Sequence, residues 1–331
     1  MRFEQFVPGL AGAGIEVTVA PLLSDAYLER RYAGRGADVV DVARSYLARA
    51  AGPHRGRYDL VWLEKEAWPW IPDAIERALF RATPFVVDLD DAWFHRYDTH
   101  PSAIVRALLG RKLDAVMHRA SVVVAGNSYI ADRARRAGGR RVEILPTVVD
   151  SRRYAPVPER AGAPFTVGWI GTPLTVGYLA AIEPALRDTG ARLVAVGAGT
   201  LALDGVAIET PAWSEEGEAT AIARFDVGIM PLPDSPWERG KCAYKLIQYM
   251  ASGKPVVASP VGVNRELLAD GAAGFLADDA ASWARALIAL RDDPALRRRM
   301  GEAGRRLVET SFDLRSALPR LAAILREGGT R

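Results

Sequence analysis

The 331-residue chain has one cysteine, Cys242, and four histidines. A single cysteine excludes an intrachain disulfide and a cysteine-based metal cluster. Lysine is nearly as scarce, with five against 38 arginines. No run of 18 apolar residues occurs, so no segment reads as a membrane-crossing helix. The opening MRFEQF also lacks the basic-then-apolar pattern of a secretory signal. The charge is +3 with a pI near 9.0, and it is evenly mixed rather than gathered into the basic patch that nucleic-acid binding needs. Such a balance suits an anionic substrate or light contact with an acidic membrane surface. The expected protein is therefore a cytoplasmic enzyme or binding protein, and its length makes two domains the default.

What the chain does contain is an alternation of strands and helices. In the first half IEVTVAPL (15–22) reads as a buried strand, followed by strands at 58–64, 84–90, 121–126 and 142–146. Helices are expected over 3–12, 25–50 (with a poorly defined middle around Gly34 and Gly36), 72–82 and 102–119, and from about Tyr129, where Asn127 and Ser128 can cap. Val149–Pro164 carries Pro156, Pro158, Gly162 and Pro164 without an apolar period, and reads as an interdomain linker. The pattern then restarts with strands at 165–171, 191–197, 206–210 and 226–232 and helices at 177–189 and 214–224. Asn264 reads as the cap of a short helix, and helices at 281–290, 294–309 and 314–326 finish the chain. The predicted class is α/β, with two doubly wound, Rossmann-like parallel-sheet domains and ligands at the carboxyl ends of the strands, in the cleft between the domains. The expected boundaries are 1–160 for an acceptor-binding domain, 164–312 for a donor-binding domain, and 313–331 for a helix packing back on the first. Because the chain enters through a helix, the first sheet is expected to lack its first strand and Met1 to be a truncated or misassigned start.

The organising stretch is GKCAYKLIQYMASGKPVVASPVG, residues 240–262. It reads as a helix from about Cys242 to Ser252, a turn at Gly253 and a strand from Pro255 to Ser259. Ala243, Leu246, Ile247, Met250 and Ala251 form the apolar stripe of a core-facing helix. Lys241, Lys245, Gln248 and Ser252 fall in one sector on the other side. Lys241, Lys245 and Lys254 are three of the five lysines. Lysines at the first turns can hold a phosphate together with the free N–H groups of the helix start. A solvated polar face is the equal alternative.

The motif order closely resembles that of the retaining glycosyltransferases of the GT-B fold, family-4 type. FTVGWIG looks like the opening strand and glycine of their donor domain. QYMASGKPVVASPVG resembles their EAMA-x-G-x-PVV-x-S-x-x-G signature. VNRELLADGAAGFL resembles the glutamate-containing segment that follows, and ILPTVVDSRRYAP resembles their domain boundary. The resemblance covers most of the chain and is specific over about 140–310. It implies a retaining, metal-independent hexosyltransferase. The nucleotide-diphosphate sugar is a substrate, no cofactor is needed, and the acceptor is a saccharide, a lipid-linked intermediate or a small natural product. Nucleic acid is not a partner, and membrane contact is at most peripheral, at the inner face.

The family's two glutamates, seven residues apart, fall here on Gly240 and Gln248, with Glu238 near enough to replace the first. The resemblance implies Lys245, Lys241 and Glu238 as the catalytic set. It implies Gly171, Thr172, Gly197, Lys241, Lys245, Gln248, Gly262 and Glu266 as donor contacts. Lys254 reads as a surface-turn residue and Trp213 as a half-buried core tryptophan, with a place against a nucleobase as the alternative. The resemblance places Asp90, Asp91 and His95 on the acceptor side, and a capping or surface-turn role is the equal alternative for the two aspartates.

Three rivals stay open. With both glutamates replaced, the chain could be a catalytically impaired binding subunit. A GT-B-fold sugar-nucleotide epimerase would want carboxylates and histidines in the donor half, whereas His54, His95, His100 and His118 all lie in the first half. VVDLDDAW (86–93) also resembles the aspartate motif of magnesium-dependent haloacid-dehalogenase-type hydrolases, although their late aspartate pair is missing.

Overall fold

The computed structural model describes residues 2–32, 35–36, 38–51, 58–79, 83–157 and 162–329. Met1, Gly34, His54 and Pro158 lie outside them. The chain divides into two compact units, Met1–Leu145 with Leu318–Arg331, and Pro146–Ala317.

The first unit holds four parallel strands, β1 Val61–Glu64, β2 Phe85–Leu89, β3 Val122–Ala125 and β4 Val142–Ile144, lying side by side in chain order. Every residue of β2 and β3 is buried, which explains their unbroken apolar character, since a parallel sheet is covered on both faces. The N-terminal turn is anchored to this sheet. Arg2 donates to Asp88 Oδ1 at 2.9 Å and to the Leu145 carbonyl at 2.8 Å, and Phe3 lies 4.5 Å from the Trp62 ring. Asp88 is thus spent on the fold, and burial pushes its carboxyl up to about 6 even against Arg2.

The expected buried strand at 15–22 is not formed, and Val19 is 59% exposed. Side chains bind carbonyls in and beside this stretch, Arg326 that of Ala13 and Arg49 that of Ala20. A β-branched run becomes a strand only where it has a pleated, half-buried surface to fit. The helix expected over 102–119 is broken at Gly110 into Ala103–Leu109 and Lys112–Arg119, and that over 25–50 into Asp25–Tyr32 and Val39–Ala51. The final helix, Leu314–Gly329, belongs to this unit from Leu318 onward. There Leu318 fills the space over Gly9, and Gly328 lies against Val86.

The second unit holds β5 Thr166–Ile170, β6 Arg192–Val196, β7 Ala207–Glu209, β8 Val227–Met230, β9 Val256–Ala258 and β10 Gly274–Leu276. Their order is β10-β9-β8-β5-β6-β7, parallel throughout. Strand order reverses between β5 and β8, as a doubly wound sheet requires. β10, of three residues, lies in the segment VNRELLADGAAGFL, in which no strand was expected. The helix Tyr244–Ala251 buries Leu246, Ile247, Met250 and Ala251 in one core, and the helix Ala280–Asp292 buries Leu287 and Leu290 in another. Asn264 is not a cap. Gly262 precedes the helix Val263–Leu267, and the Asn264 amide donates to the Ser259 carbonyl at 3.2 Å.

Asn127 does cap the helix Ser128–Arg136, accepting from the Ile130 N–H at 2.9 Å. Asn127→Ala should cost about 1 kcal/mol of stability, with Asn127→Asp largely neutral. Thermal unfolding checks this, and an unchanged Tm in the alanine variant would contradict the cap.

Candidate functional site

A doubly wound sheet opens a crevice at the carboxyl ends of the strands where its order reverses. Here those strands are β5, followed by Gly171 and Thr172, and β8, followed by the segment that carries Ser235, the short helix Pro236–Arg239 and Lys241. The helix Tyr244–Ala251 starts beyond this segment and is locked to β5 by one contact. The fully buried Tyr249 hydroxyl accepts from the Ile170 N–H at 2.8 Å, and burial pushes its pKa well up. The Tyr249 ring fits only because residue 228 is glycine, where a Cβ would come within 2.2 Å of it.

This seating brings Lys245, the second residue of the helix, to the end of β5. Its Nζ lies 5.2 Å from the centroid of the buried Trp169 ring. The same ring leaves no room for a side chain at Gly171, where a Cβ would sit 2.0 Å away. Gly197, with φ 75°, adjoins Gly171. Thr172 is exposed.

The helix begins at Tyr244 rather than Cys242, so Lys241 precedes it. Ala243 enters it with φ 54°, a left-handed conformation that disfavours side chains. The expected solvated face is also absent beyond the first turn, since Gln248 and Ser252 are each 2% exposed. The helix Pro294–Ser311 packs against the end of this helix, with Gly304 against Met250 and the Arg305 guanidinium on the Ala251 carbonyl.

Gln248 points into a polar cluster that the sequence did not announce. Its amide donates to the Tyr154 hydroxyl at 3.0 Å and to Glu218. Glu218, 7% exposed, also accepts from Tyr154 and from the Trp213 indole, each at 2.8 Å. Trp213 itself is 38% exposed, not the core residue expected. The carboxylate sought at position 248 therefore stands next to it, on another helix, Glu218–Ala223. No motif spacing could reveal that.

Glu238 is 5% exposed on its short helix and accepts from the Tyr178 hydroxyl at 2.6 Å and from Ser235. Burial and this carboxylate push the Tyr178 hydroxyl up to about 12. Gly262 adjoins the same helix, where a Cβ would come within 2.5 Å of the Arg239 carbonyl. Glu266 is exposed on the helix Val263–Leu267. Lys254 is 6% exposed, not a surface-turn residue, because Gly301 packs onto the Gly253–Lys254 turn. It immediately precedes the Pro255–Val256 start of β9, the opposite end of that strand from the crevice.

In the first unit, Asp90 and Asp91 follow β2. Lys65, which sequence reading passed over, lies 3.1 Å from Asp90. Burial lowers the Lys65 pKa, but Asp90, Glu64 and Asp91 outweigh it and hold the ammonium above its usual value. His95 is braced, with Nδ1 2.7 Å from Asp98 and Nε2 2.9 Å from the Tyr129 hydroxyl.

Two parallel-sheet Rossmann-like units, one with a glycine-lined crevice and a lysine at a helix start, have the architecture of the GT-B fold. Residues 167–293, within the second unit, match the family description of the glycosyl transferases group 1. A 65-residue stretch, 19% of this chain, is 46% identical to D-inositol 3-phosphate glycosyltransferase of Streptomyces avermitilis, and it spans 14% of that relative's length. The fold is shared with sucrose-phosphate synthase from Thermosynechococcus elongatus, at a TM-score of 0.65 and 17% identity over 87% of this chain and 77% of that one. Anabaena HepE in complex with UDP-glucose also has a TM-score of 0.65 and 17% identity, over 96% of this chain and 88% of its own. Among the described residues no helix is long and apolar enough to cross a membrane.

Gln248→Glu would set a second carboxylate against the buried Glu218, and like charges raise the pKa of one of the pair. That proton is held at low pH and lost as pH rises, so the variant should be close to wild type near pH 5 and destabilised by about 1–3 kcal/mol near pH 8. Thermal unfolding at the two pH values checks the sign, and equal loss at both would contradict it.

Proposed function

We propose that this chain moves a hexose from a nucleotide-diphosphate sugar to an acceptor hydroxyl with retention of anomeric configuration, without a resident metal. The observation that carries the reading is the Lys245 ammonium, brought to the carboxyl end of β5 in the first turn of the helix Tyr244–Ala251. As the bond from the anomeric carbon to the diphosphate oxygen breaks, the electron pair leaves with the diphosphate. Lys245, Lys241 and the N–H groups of the helix start stabilise that charge. The acceptor oxygen attacks the same face, and its proton passes to the departing diphosphate.

Gln248 and the neighbouring Glu218 take the ribose diol, and Glu238 faces the transferred sugar. Gly171, Thr172, Gly197 and Gly262 let the donor approach the backbone, with Glu266 beside it. Asp90 and Asp91 belong to the acceptor side, where His95 supports the wall rather than reacting. We assign the reaction to the cytoplasm or the inner face of a membrane. Ile104 and Leu108, 71% and 67% exposed on the helix that carries Arg106, support the second location, and flotation with anionic vesicles tests it.

Lys245→Ala should weaken UDP-sugar binding by about 1.5–3 kcal/mol, the scale of a hydrogen bond to a charged group. Lys254→Ala should lower the Tm and leave binding by the folded protein unchanged. Calorimetric titration separates the two, and equal effects on binding would remove Lys245 from the phosphate site. Proton NMR of the product formed with UDP-, GDP-, ADP- and dTDP-sugars, with and without EDTA, tests the reaction itself. An inverted anomer or loss of turnover in EDTA would overturn the proposed chemistry, and binding without turnover across the panel would favour the binding-subunit reading.

A further inference from the structure

The segments that follow β1 and β2 carry a cation that the transfer reading leaves unused. The Arg96 guanidinium lies between two indoles, 4.8 Å from the Trp70 ring centroid and 4.7 Å from that of Trp93. Among the described residues the guanidinium makes no hydrogen bond and no ion pair, although the side chain is partly buried. Neighbouring arginines differ. Arg133 is paired with Asp98 and Asp114, and Arg2 with Asp88. A guanidinium stacked on aromatic faces is held flat with its N–H edge available, the arrangement that binds a carboxylate or phosphate through two parallel hydrogen bonds.

Trp70 is 42% exposed and has φ 65°, and Lys65 in the same segment has φ 59°. Bulky residues rarely adopt that conformation, which costs on the order of 1–3 kcal/mol and persists only where its surroundings impose it. Here the surroundings are a buried polar network. The Trp70 N–H donates to the Tyr97 hydroxyl at 3.0 Å, and that hydroxyl donates to Glu66 at 2.7 Å. Glu66 in turn meets Lys112 at 2.7 Å, and Lys112 also lies 3.0 Å from Glu76. The fold thus holds an indole partly out in solvent beside an unspent cation, at the carboxyl ends of two adjacent parallel strands, where such sheets bind ligands. Lys65, set against Asp90 and 5.0 Å from the Trp93 ring centroid, offsets the nearby carboxylate charge.

We propose that Trp70, Trp93 and Arg96 form a subsite for an anionic sugar unit of the acceptor. Arg96 takes its carboxylate or phosphate, and Trp70 takes a face of the ring. Calling the ligand an acceptor rests on the transfer reading, whereas the binding of an anionic sugar does not.

The test is calorimetric titration of the whole chain with methyl glucuronide, glucose 1-phosphate and methyl glucoside, and separately with UDP. At least one anionic ligand should bind about 10-fold to 100-fold more tightly than the glucoside, and the better of the two tells carboxylate from phosphate. Arg96→Gln should abolish that preference, Arg96→Lys should recover only part of it, and Trp70→Ala should weaken all three sugars, while UDP affinity stays unchanged. Equal binding of charged and uncharged sugars, no binding of either anion, or an intact preference in Arg96→Gln overturns the subsite. Failure of UDP alone to bind counts against the transfer reading and leaves this one standing.

Discussion

The geometry at the end of β5 depends on the hydrogen bond from the Ile170 N–H to the buried Tyr249 hydroxyl. It ties the last residue of β5 to the middle of the helix Tyr244–Ala251 and so fixes how far the helix start extends past the strand end. The bond is buried, so a helix shifted along its axis would leave a donor and an acceptor unmade away from water. Tyr249 can reach that N–H only across Gly228. Lys245 and Gly171 owe their proximity to this register, with the Trp169 ring as the spacer between them.

The polar side of the same helix shows why motif reading succeeded in one dimension and failed in another. The apolar stripe of Leu246, Ile247, Met250 and Ala251 was legible because a helix repeats every 3.6 residues whatever lies around it. The fate of Gln248 was not legible, because residues far along the chain, Tyr154 and Glu218, enclose its amide. The replaced carboxylate is a similar case. A spacing rule looks along one helix for the acid, but Glu218 arrives from another helix and is held by Tyr154, Gln248 and Trp213.

The strands divide along the same line. Those with continuous apolar runs, such as Phe85–Leu89 and Thr166–Ile170, were found within a residue or so of their observed bounds, because burial on both faces demands that composition. The stretch at 15–22 also carries β-branched residues, Ile15, Val17, Thr18 and Val19, but gains no ladder partner, and strand formation is a property of the pair rather than of the segment. Capping divided too. Asn127 caps because it precedes its helix with extended backbone, whereas Asn264 falls one residue inside the helix that Gly262 introduces. The Trp70–Arg96–Trp93 stack was out of reach, since it needs two loops from different strands to meet.

The scarcity of lysine has a further consequence once each one is located. Lys112 and Lys254 are buried, and Lys65, Lys241 and Lys245 are partly so, hence no lysine side chain is fully on the surface. The exterior cations are arginines, which do not react as amines. An acylating reagent added to the folded protein therefore meets no freely accessible ε-amine, and its most open targets include the two lysines before and within the first turn of the helix Tyr244–Ala251. Labelling of those two amines, followed by peptide mass, would report when the crevice at the end of β5 is filled, without any modification engineered into the chain.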